Sequence, residues 1–432
     1  MKISALYKLY QQFPSIQTDT RKVKQDDLFF ALKGPNFNGN QFAKEALAKG
    51  AAYAIVDEKS EIADERIIQV SDVLTTLQDL ALHHRRQFLL SVSGKEIPFI
   101  AITGSNGKTT SKELVHAVLS SVYKTYTTEG NLNNHIGIPL TILKIKPDAE
   151  IAIIEMGANH QKEIESYCVY TMPTHGVITN CGKAHLEGFG GEEGIRKGKG
   201  ELYEYLRLHN GTAFVMWDYD YLQEMSKEIP EVITYGTTNA SVTGFVKRSS
   251  GLLEVSITAG ADLPSIKTNL VGEYNLPNIL LAVTFGKYFK VPDEKIKFAL
   301  ENYLPSNSRS QLIEKDGNKI ILDAYNANPS SMKAAIENFV NMDGADKVLI
   351  LGGMMELGSE SLKEHQVLVD LITKHKWKNV VLVGGDFSKV NHNYLYFENS
   401  TQAKEWFKDQ HYDHSSILIK GSRSTQMEKV LD

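Results

Sequence analysis

Ile100-Ala101-Ile102-Thr103-Gly104-Ser105-Asn106-Gly107-Lys108-Thr109-Thr110 passes from an apolar run through a glycine turn into a helical pattern. Ile97, Phe99, Ile100 and Ile102 have the composition of a buried strand, and Leu114, Val115, Val118 and Leu119 recur at helical spacing. Strand, glycine loop and helix is the order that cradles phosphate. Gly104 and Gly107, with Ser105 and Asn106 between them, let backbone N–H groups close around an anion at a helix N-terminus. Lys108 neutralises phosphate oxygens, the Thr109 hydroxyl suits Mg2+, and Thr110 completes the loop. The pattern is a shortened one, because Ile102 stands where the longer Walker form has its first glycine. A turn that binds nothing is the alternative, and Lys-Thr-Thr directly after the glycine argues against it. The stretch points to chemistry on a nucleoside triphosphate.

Working outward, 432 residues exceed one ordinary core, so about two or three domains are expected. A net charge of −5 argues against an obligate nucleic-acid binder. Cys168 and Cys181 form no metal-like pair and are expected to be buried small hydrophobes in a reducing compartment. The N-terminal Met1-Lys2-Ile3-Ser4-Ala5-Leu6-Tyr7 lacks the apolar core of a signal peptide, and no apolar run is long enough to span a membrane. The expectation is a cytoplasmic protein with no membrane insertion.

Residues 1–96 mix short strands (28–31, 52–56) with helices (42–49, 73–88), the pattern of a small α/β unit. Its Asp19-Thr20-Arg21 and Ala31-Leu32-Lys33-Gly34 either hold a diphosphate or form a solvated surface, and composition favours the surface. Polar residues 91–96 mark a boundary. Alternating strands and helices then predict a doubly wound parallel sheet over 97–304. Strand 151–154 ends in Glu155, placed either to hold a metal and position water or to cap a helix. Strand 176–179 leads into a loop carrying His185, which by itself fits a hydrogen-bonded loop histidine. Gly130-Asn131-Leu132-Asn133-Asn134-His135 is dense in side-chain amides, suited to sugar or amide groups or to a succession of turns. Arg196, Lys197 and Lys199 have the spacing of an exposed basic face. Residues 211–270 are expected to be β-rich.

Beyond a second boundary near Leu304-Pro305-Ser306-Asn307, strands 320–322, 348–351, 380–383 and 417–419 each run into a glycine or polar loop. This predicts a second Rossmann-like sheet, over 305–432, with its ligand face at the strand ends.

With these stretches in view, the chain resembles the Mur ligases. The matching residues are Asp19-Thr20-Arg21, Ala31-Leu32-Lys33-Gly34, Thr103 to Thr110, Gly130 to Pro139, Glu155 to His160, Ala184 to Gly190, Asn275 to Asn278, Asp323 to Met332, Met355 to Gly358 and Lys420 to Ser424. They span almost the whole chain. The resemblance implies three domains: a UDP-sugar-binding one (1–96), a central P-loop ATPase (97–304) and a C-terminal dipeptide-binding one (305–432). Tyr325-Asn326-Ala327-Asn328, with no Asp-Asn-Pro-Arg, resembles the branch that adds D-alanyl-D-alanine to UDP-N-acetylmuramoyl-tripeptide in peptidoglycan precursor synthesis. The implied mechanism has a peptide carboxylate attack the γ-phosphate of ATP, giving an acyl phosphate that the dipeptide amine displaces.

The resemblance also implies roles for single residues. Lys108, Glu155, His185 and Lys199 would be catalytic, with one Mg2+ held by Thr109 and Glu155, a second held with the help of His185, and Lys199 carried as a carbamate. Asn275 and Asn278 would meet adenine, Arg309 a phosphate or hinge, and Asp323 the ribose. Thr20, Arg21 and Lys33 would face UDP. Asn133 and Asn134 would lie against the muramoyl or peptide portion, and Asn328, Ser422 and Arg423 against the dipeptide. A monomer is expected. The competing readings are the related ligase that adds the third peptide residue, a folate polyglutamylating enzyme, and a binding module switched by nucleotide.

Overall fold

Phe99-Ile100-Ala101-Ile102-Thr103 is apolar on both faces, and all five residues are buried in a strand. A strand covered on both sides by helices needs such an unbroken run. The computed structural model describes residues 1–59, 64–89, 96–249, 251–305, 309–344 and 346–432. The boundaries expected at 91–96 and 304–307 therefore lie largely outside the described residues. By compactness the chain divides into two units. The first holds residues 1–101, 124–157 and 163–175, and the second holds 102–123, 158–162 and 176–432. The Phe99–Thr103 strand gives its first residues to one unit and Ile102 and Thr103 to the other.

In the first unit, strands Ile16–Gln17, Leu28–Phe30, Tyr53–Val56 and Ile67–Gln69 pair in parallel in that order. Phe29, Ala54 and Val56 pack there with Ala43, Ala46 and Leu47 of helix Ala43–Ala48. Helix Val73–Arg86 starts at Asp72, whose side chain accepts from the Thr75 N–H at 2.6 Å. An acidic N-cap of this kind satisfies one of the donors every helix start leaves orphaned.

The largest sheet has nine strands in the order Ile266–Val271, Leu252–Ala259, Val242–Arg248, Glu231–Gly236, Thr212–Met216, His175–Ile178, Phe99–Thr103, Ile151–Glu155 and Thr125–Thr127. The doubly wound expectation needs one correction. Thr212–Met216, Glu231–Gly236 and Val242–Arg248 pair in parallel, but Leu252–Ala259 runs antiparallel to both its neighbours. Leu253, Val255 and Ile257 are buried while Leu252 is exposed, the period-two pattern of a strand with one covered face.

The C-terminal sheet follows the order Gln311–Lys315, Asn318–Asp323, Ser416–Lys420, Lys347–Gly352, Asn379–Val383 and Leu395–Phe397. Its first pair is an antiparallel hairpin, and the others are parallel. Asp323 pairs with Lys420 and Gly352 with Val383, so these strands end together and their loops share one edge. Ile320, Ile350, Val381 and Ile417 fill the core beneath. No described helix is long and apolar enough to cross a membrane.

Ile350 is fully buried in a central strand of this sheet. Ile350→Ala is expected to lower stability by about 2–5 kcal/mol through lost burial and the cavity left behind, read as an earlier urea midpoint.

Candidate active site

The turn after Phe99–Thr103 is built on two glycines. Gly104 has φ +139°, and a Cβ there would stand 2.0 Å from Thr179 Oγ1. Gly107, at φ +80°, precedes helix Lys108–Ser120, and its Cβ would lie 2.7 Å from Asn278 Oδ1. The loop between them is tied to the chain after His175–Ile178. Ser105 N donates to Asn180 O at 2.8 Å, Ser105 Oγ to Gly182 O at 2.6 Å, and Thr179 Oγ1 to Asn106 O at 2.6 Å. Gly107 offers no side-chain cap, so the helix presents its first N–H groups without one. That geometry favours an anion, and Lys108 adds charge: its Nζ folds onto Gly104 O at 2.6 Å and Ser105 O at 3.2 Å. Thr109 is buried and Thr110 half-buried in the first turn. The donor set fits a phosphate.

Asn275 and Asn278 stand behind this loop, both buried. Ser111 Oγ donates to Asn278 Oδ1 at 2.9 Å, Asn278 Nδ2 to Asn275 Oδ1 at 2.9 Å, and Asn275 Nδ2 to Val271 O at 2.8 Å. The amides therefore hold helix Lys108–Ser120 against helix Leu276–Tyr288.

Glu155, in the first unit, ends strand Ile151–Glu155 and is buried. Its N–H donates to Thr128 Oγ1 at 3.0 Å, and its Oε1 accepts from Asn133 Nδ2 at 2.7 Å. Oε2 is buried with no hydrogen-bond partner. Such an orphan costs on the order of 1–3 kcal/mol, which an arriving cation or donor relieves. Glu155 thus fits a Mg2+ ligand better than the helix cap weighed beside it. Among the described residues no three His, Cys, Asp or Glu side chains gather around one point. Mg2+ carried on nucleotide phosphates needs only one or two protein ligands. Asn134 is a cap: its Oδ1 accepts from Ile136 N at 3.1 Å and Gly137 N at 2.9 Å, starting helix Gly137–Leu143.

In the second unit, C-terminal loops meet the phosphate loop. Asn328 caps helix Pro329–Asn341 through Ser331 N at 2.9 Å, and its Nδ2 donates to Asn106 Oδ1 at 2.8 Å. Ser330 Oγ accepts from Lys183 N at 2.9 Å, while Lys183 Nζ pairs with buried Glu364 at 2.8 Å. The Glu364 carboxylate raises the Lys183 ammonium above the ordinary lysine value. His185, at φ +53°, places Nδ1 2.5 Å from Glu356 Oε2, and Glu356 is itself left-handed at φ +62°. His365 is fully buried; its Nε2 accepts from Met354 N at 3.1 Å, which holds the loop that carries Glu356. A cavity of about 540 Å3 opens here, lined by Lys183, Glu187, Glu192, Glu360, Lys363 and Glu364 among others.

The exposed basic face is corrected by helix Glu192–Leu208. Arg196 and Lys197 are exposed, but Lys199 is buried, its Nζ donating to Ala158 O at 3.0 Å and lying 4.9 Å from the Phe189 ring centroid. Residues three apart lie on one helix face, and here Arg196 and Lys199 still diverge. Arg196 turns over the Tyr221 ring, and glycines 194 and 198 let Phe189 pack beside Lys199. Asp323 pairs with Lys420 at 2.5 Å and accepts from Ser310 N at 3.3 Å; Arg309 stacks on Tyr325 at 3.6 Å. Ser422 is buried with its Oγ 3.0 Å from Ser424 Oγ, and Arg423 is exposed and paired with Glu428 at 2.8 Å.

In the first unit Arg21 grips Asp19 through two nitrogens at 2.9 and 2.8 Å, holding that carboxyl down to about 2. Thr20 lies half-exposed in the same 3-10 turn. Lys33 pairs with Asp57 at 2.9 Å and Glu58 at 3.0 Å. Both cations carry the solvated pairs that composition favours. Cys168 and Cys181 form no disulfide and are buried as expected, and burial pushes the Cys181 thiol up to about 12. Glu356 belongs to the matching stretch Met355 to Gly358, whereas Lys183, Glu364 and His365 belong to none of the matching stretches.

The chain matches the Mur ligase middle domain over residues 102–286, the Mur ligase glutamate ligase domain over 308–423 and the Mur ligase family catalytic domain over 12–85. It is 33% identical to the UDP-N-acetylmuramoyl-tripeptide–D-alanyl-D-alanine ligase of Bacillus subtilis, over 96% of this chain and 92% of that one. The crystal structure of MurF from Acinetobacter baumannii superposes with a TM-score of 0.86 at 30% identity, covering 98% and 97% of the two chains. MurF ligase from Thermotoga maritima in complex with ADP also gives 0.86, at 26% identity and 96% coverage of each.

Gly107→Ala forces an alanine into the left-handed region against Asn278, a strain of about 1–3 kcal/mol. Nucleotide affinity by calorimetry is expected to fall at least about fivefold while far-UV circular dichroism is unchanged. The His185 hydrogen bond holds the Glu356 carboxyl below its ordinary 4.5. A carboxyl lowered in the folded state contributes stability above its free value and loses it as pH falls through the folded one. The stability gap between the native chain and Glu356→Gln is expected to close as pH falls below about 5, in thermal melts across pH.

Proposed function

Because the chain belongs to the Mur ligase family, we propose that it joins D-alanyl-D-alanine to UDP-N-acetylmuramoyl-tripeptide with hydrolysis of ATP to ADP and phosphate. The observation that carries this reading is the uncapped N-terminus of helix Lys108–Ser120, with Lys108 folded over its glycine loop, in a chain alike to such ligases nearly end to end. The tripeptide carboxylate attacks the γ-phosphorus and ADP leaves. The dipeptide amine then attacks the acyl carbon of the acyl phosphate, losing a proton as phosphate departs with the bonding pair.

Phosphoryl transfer asks the protein for positioning and charge neutralisation more than for covalent help. The loop N–H groups and Lys108 grip the triphosphate, and Gly104 and Gly107 let the loop take that shape by lying close against Thr179 and Asn278. Asn275 and Asn278 back the loop and face the adenine, Asp323 the ribose, and Arg309 a phosphate. Thr109, Glu155 and His185 would hold Mg2+, which when bound screens the charge that builds on the transferred phosphoryl group. Thr20, Arg21 and Lys33 would meet UDP, exchanging their carboxylate partners for diphosphate. Asn133 and Asn134 would line the muramoyl-peptide path, and Asn328, Ser422 and Arg423 the dipeptide. A carbamate on Lys199 belongs to the same reading. As placed, Nζ donates to the Ala158 carbonyl and faces the Phe189 ring, which suits an unmodified ammonium. We read domains 1–96, 97–304 and 305–432 as serving the UDP-sugar, ATP and dipeptide, in a monomeric cytoplasmic enzyme.

Phosphate release from ATP and Mg2+ is expected only when both UDP-N-acetylmuramoyl-tripeptide and D-alanyl-D-alanine are supplied, with a product heavier by the dipeptide in mass spectrometry. Lys108→Ala is expected to cost about 100-fold or more in rate. Release with a single diamino acid on the shorter precursor would assign the chain to the neighbouring ligase instead. No release with any amine would leave a nucleotide-binding module.

A further inference from the structure

The sequence resemblance sets Asn133 against the muramoyl or peptide portion, but its side chain points to another partner. Asn133 Nδ2 donates to Glu155 Oε1 at 2.7 Å, and the Asn133 carbonyl accepts from Gly157 N at 2.7 Å. Its amide also fills the space beside Gly157, where a Cβ would lie 2.9 Å from Asn133 Cγ. Asn133 is thus clamped twice: by side chain to the Glu155 carboxyl, and by backbone to the turn that follows it. Thr128 Oγ1 fixes the Glu155 N–H from behind. The carboxyl is left with one oxygen spoken for and the other, Oε2, buried and orphaned.

From this we infer that Asn133 is a positioning residue for Glu155, setting its carboxyl so that Oε2 alone faces the divalent cation carried by the nucleotide. An amide suits the task because it donates without charge: a lysine there would compete with the cation, and an aspartate would repel the carboxyl. Partners that orient a metal-binding carboxylate in this way commonly govern affinity by 10–100-fold. The inference rests on the ligase reading for its purpose, but the cation measurement below needs neither acceptor substrate.

The test uses the full chain loaded with a non-hydrolysable ATP analogue and titrated with Mn2+, followed by electron paramagnetic resonance. Asn133→Ala is expected to weaken Mn2+ binding at least about tenfold while the metal-free affinity for the analogue stays within about twofold. In the background of Glu155→Gln, the same substitution is expected to add almost nothing, because the group it orients is gone. If the alanine variant does not fold, Asn133→Ser keeps the measurement possible, with the same expectation. Unchanged Mn2+ affinity would overturn the inference, as would equal losses in the native and Glu155→Gln backgrounds. Unchanged Mn2+ affinity with a raised KM for UDP-N-acetylmuramoyl-tripeptide would return Asn133 to a substrate contact. Weakened Mn2+ binding in a chain that ligates neither acceptor would uphold the positioning role and overturn the ligase reading alone.

Discussion

A backbone that must pass closer to its neighbours than any side chain allows lies at the root of this structure. At Gly104 and Gly107 the chain turns from a buried strand into a helix within van der Waals reach of Thr179 and Asn278. Because no Cβ fills that space, the loop can lie flat on residues 179–182 and leave the helix N-terminus uncapped. Nucleotide binding at this loop depends on those uncapped N–H groups. The strand before the loop, buried on both faces, and the helix after it, buried along one, supply the rigidity because neither can shift without disturbing its packing.

Around this loop the second unit spends polar side chains on holding other polar side chains. Asn106 meets Asn328, Asn278 meets Ser111, and Lys183 bridges to Ser330 through its backbone and to Glu364 through its ammonium. Amides predominate because they donate and accept at once and add no charge beside a site built for an anion. Where charge is used, it is paired: Lys183 with Glu364, Lys420 with Asp323. The left-handed backbones of His185 and Glu356 are the strained elements of this arrangement, and they face one another. The buried His365 behind Met354 anchors one of them from the core.

In the first unit the same economy appears at Glu155. One carboxyl oxygen is satisfied by an asparagine and the other is left without a partner, a cost that an arriving cation or donor would relieve. Arg21 and Lys33, by contrast, are fully engaged with Asp19, Asp57 and Glu58 at the surface. A phosphate ligand there must replace carboxylates that already solve the charge balance. The Arg21–Asp19 and Lys33–Glu58 pairs are exposed and contribute little to stability, so exchanging them is cheap.

The local pattern of the sequence was enough to read the apolar strand runs, the glycine loop, the helical stripe of Leu114, Val115, Val118 and Leu119 and the buried cysteines, because each follows from the periodicity or chemistry of neighbouring residues. The family followed from motifs in order along the chain. Local pattern could not tell that Lys199 is buried while Arg196 and Lys197 are not, since all three share one basic cluster and only Phe189 and the glycines beside it decide which is covered. Nor could it separate Asn133, turned to Glu155, from Asn134, a cap for the next helix. The antiparallel end of the large sheet, the Asn106–Asn328 bond and the His185–Glu356 pair likewise join residues far apart in sequence. Spacing determines which face of a strand or helix a side chain occupies; which partner awaits it there is set only when the elements pack.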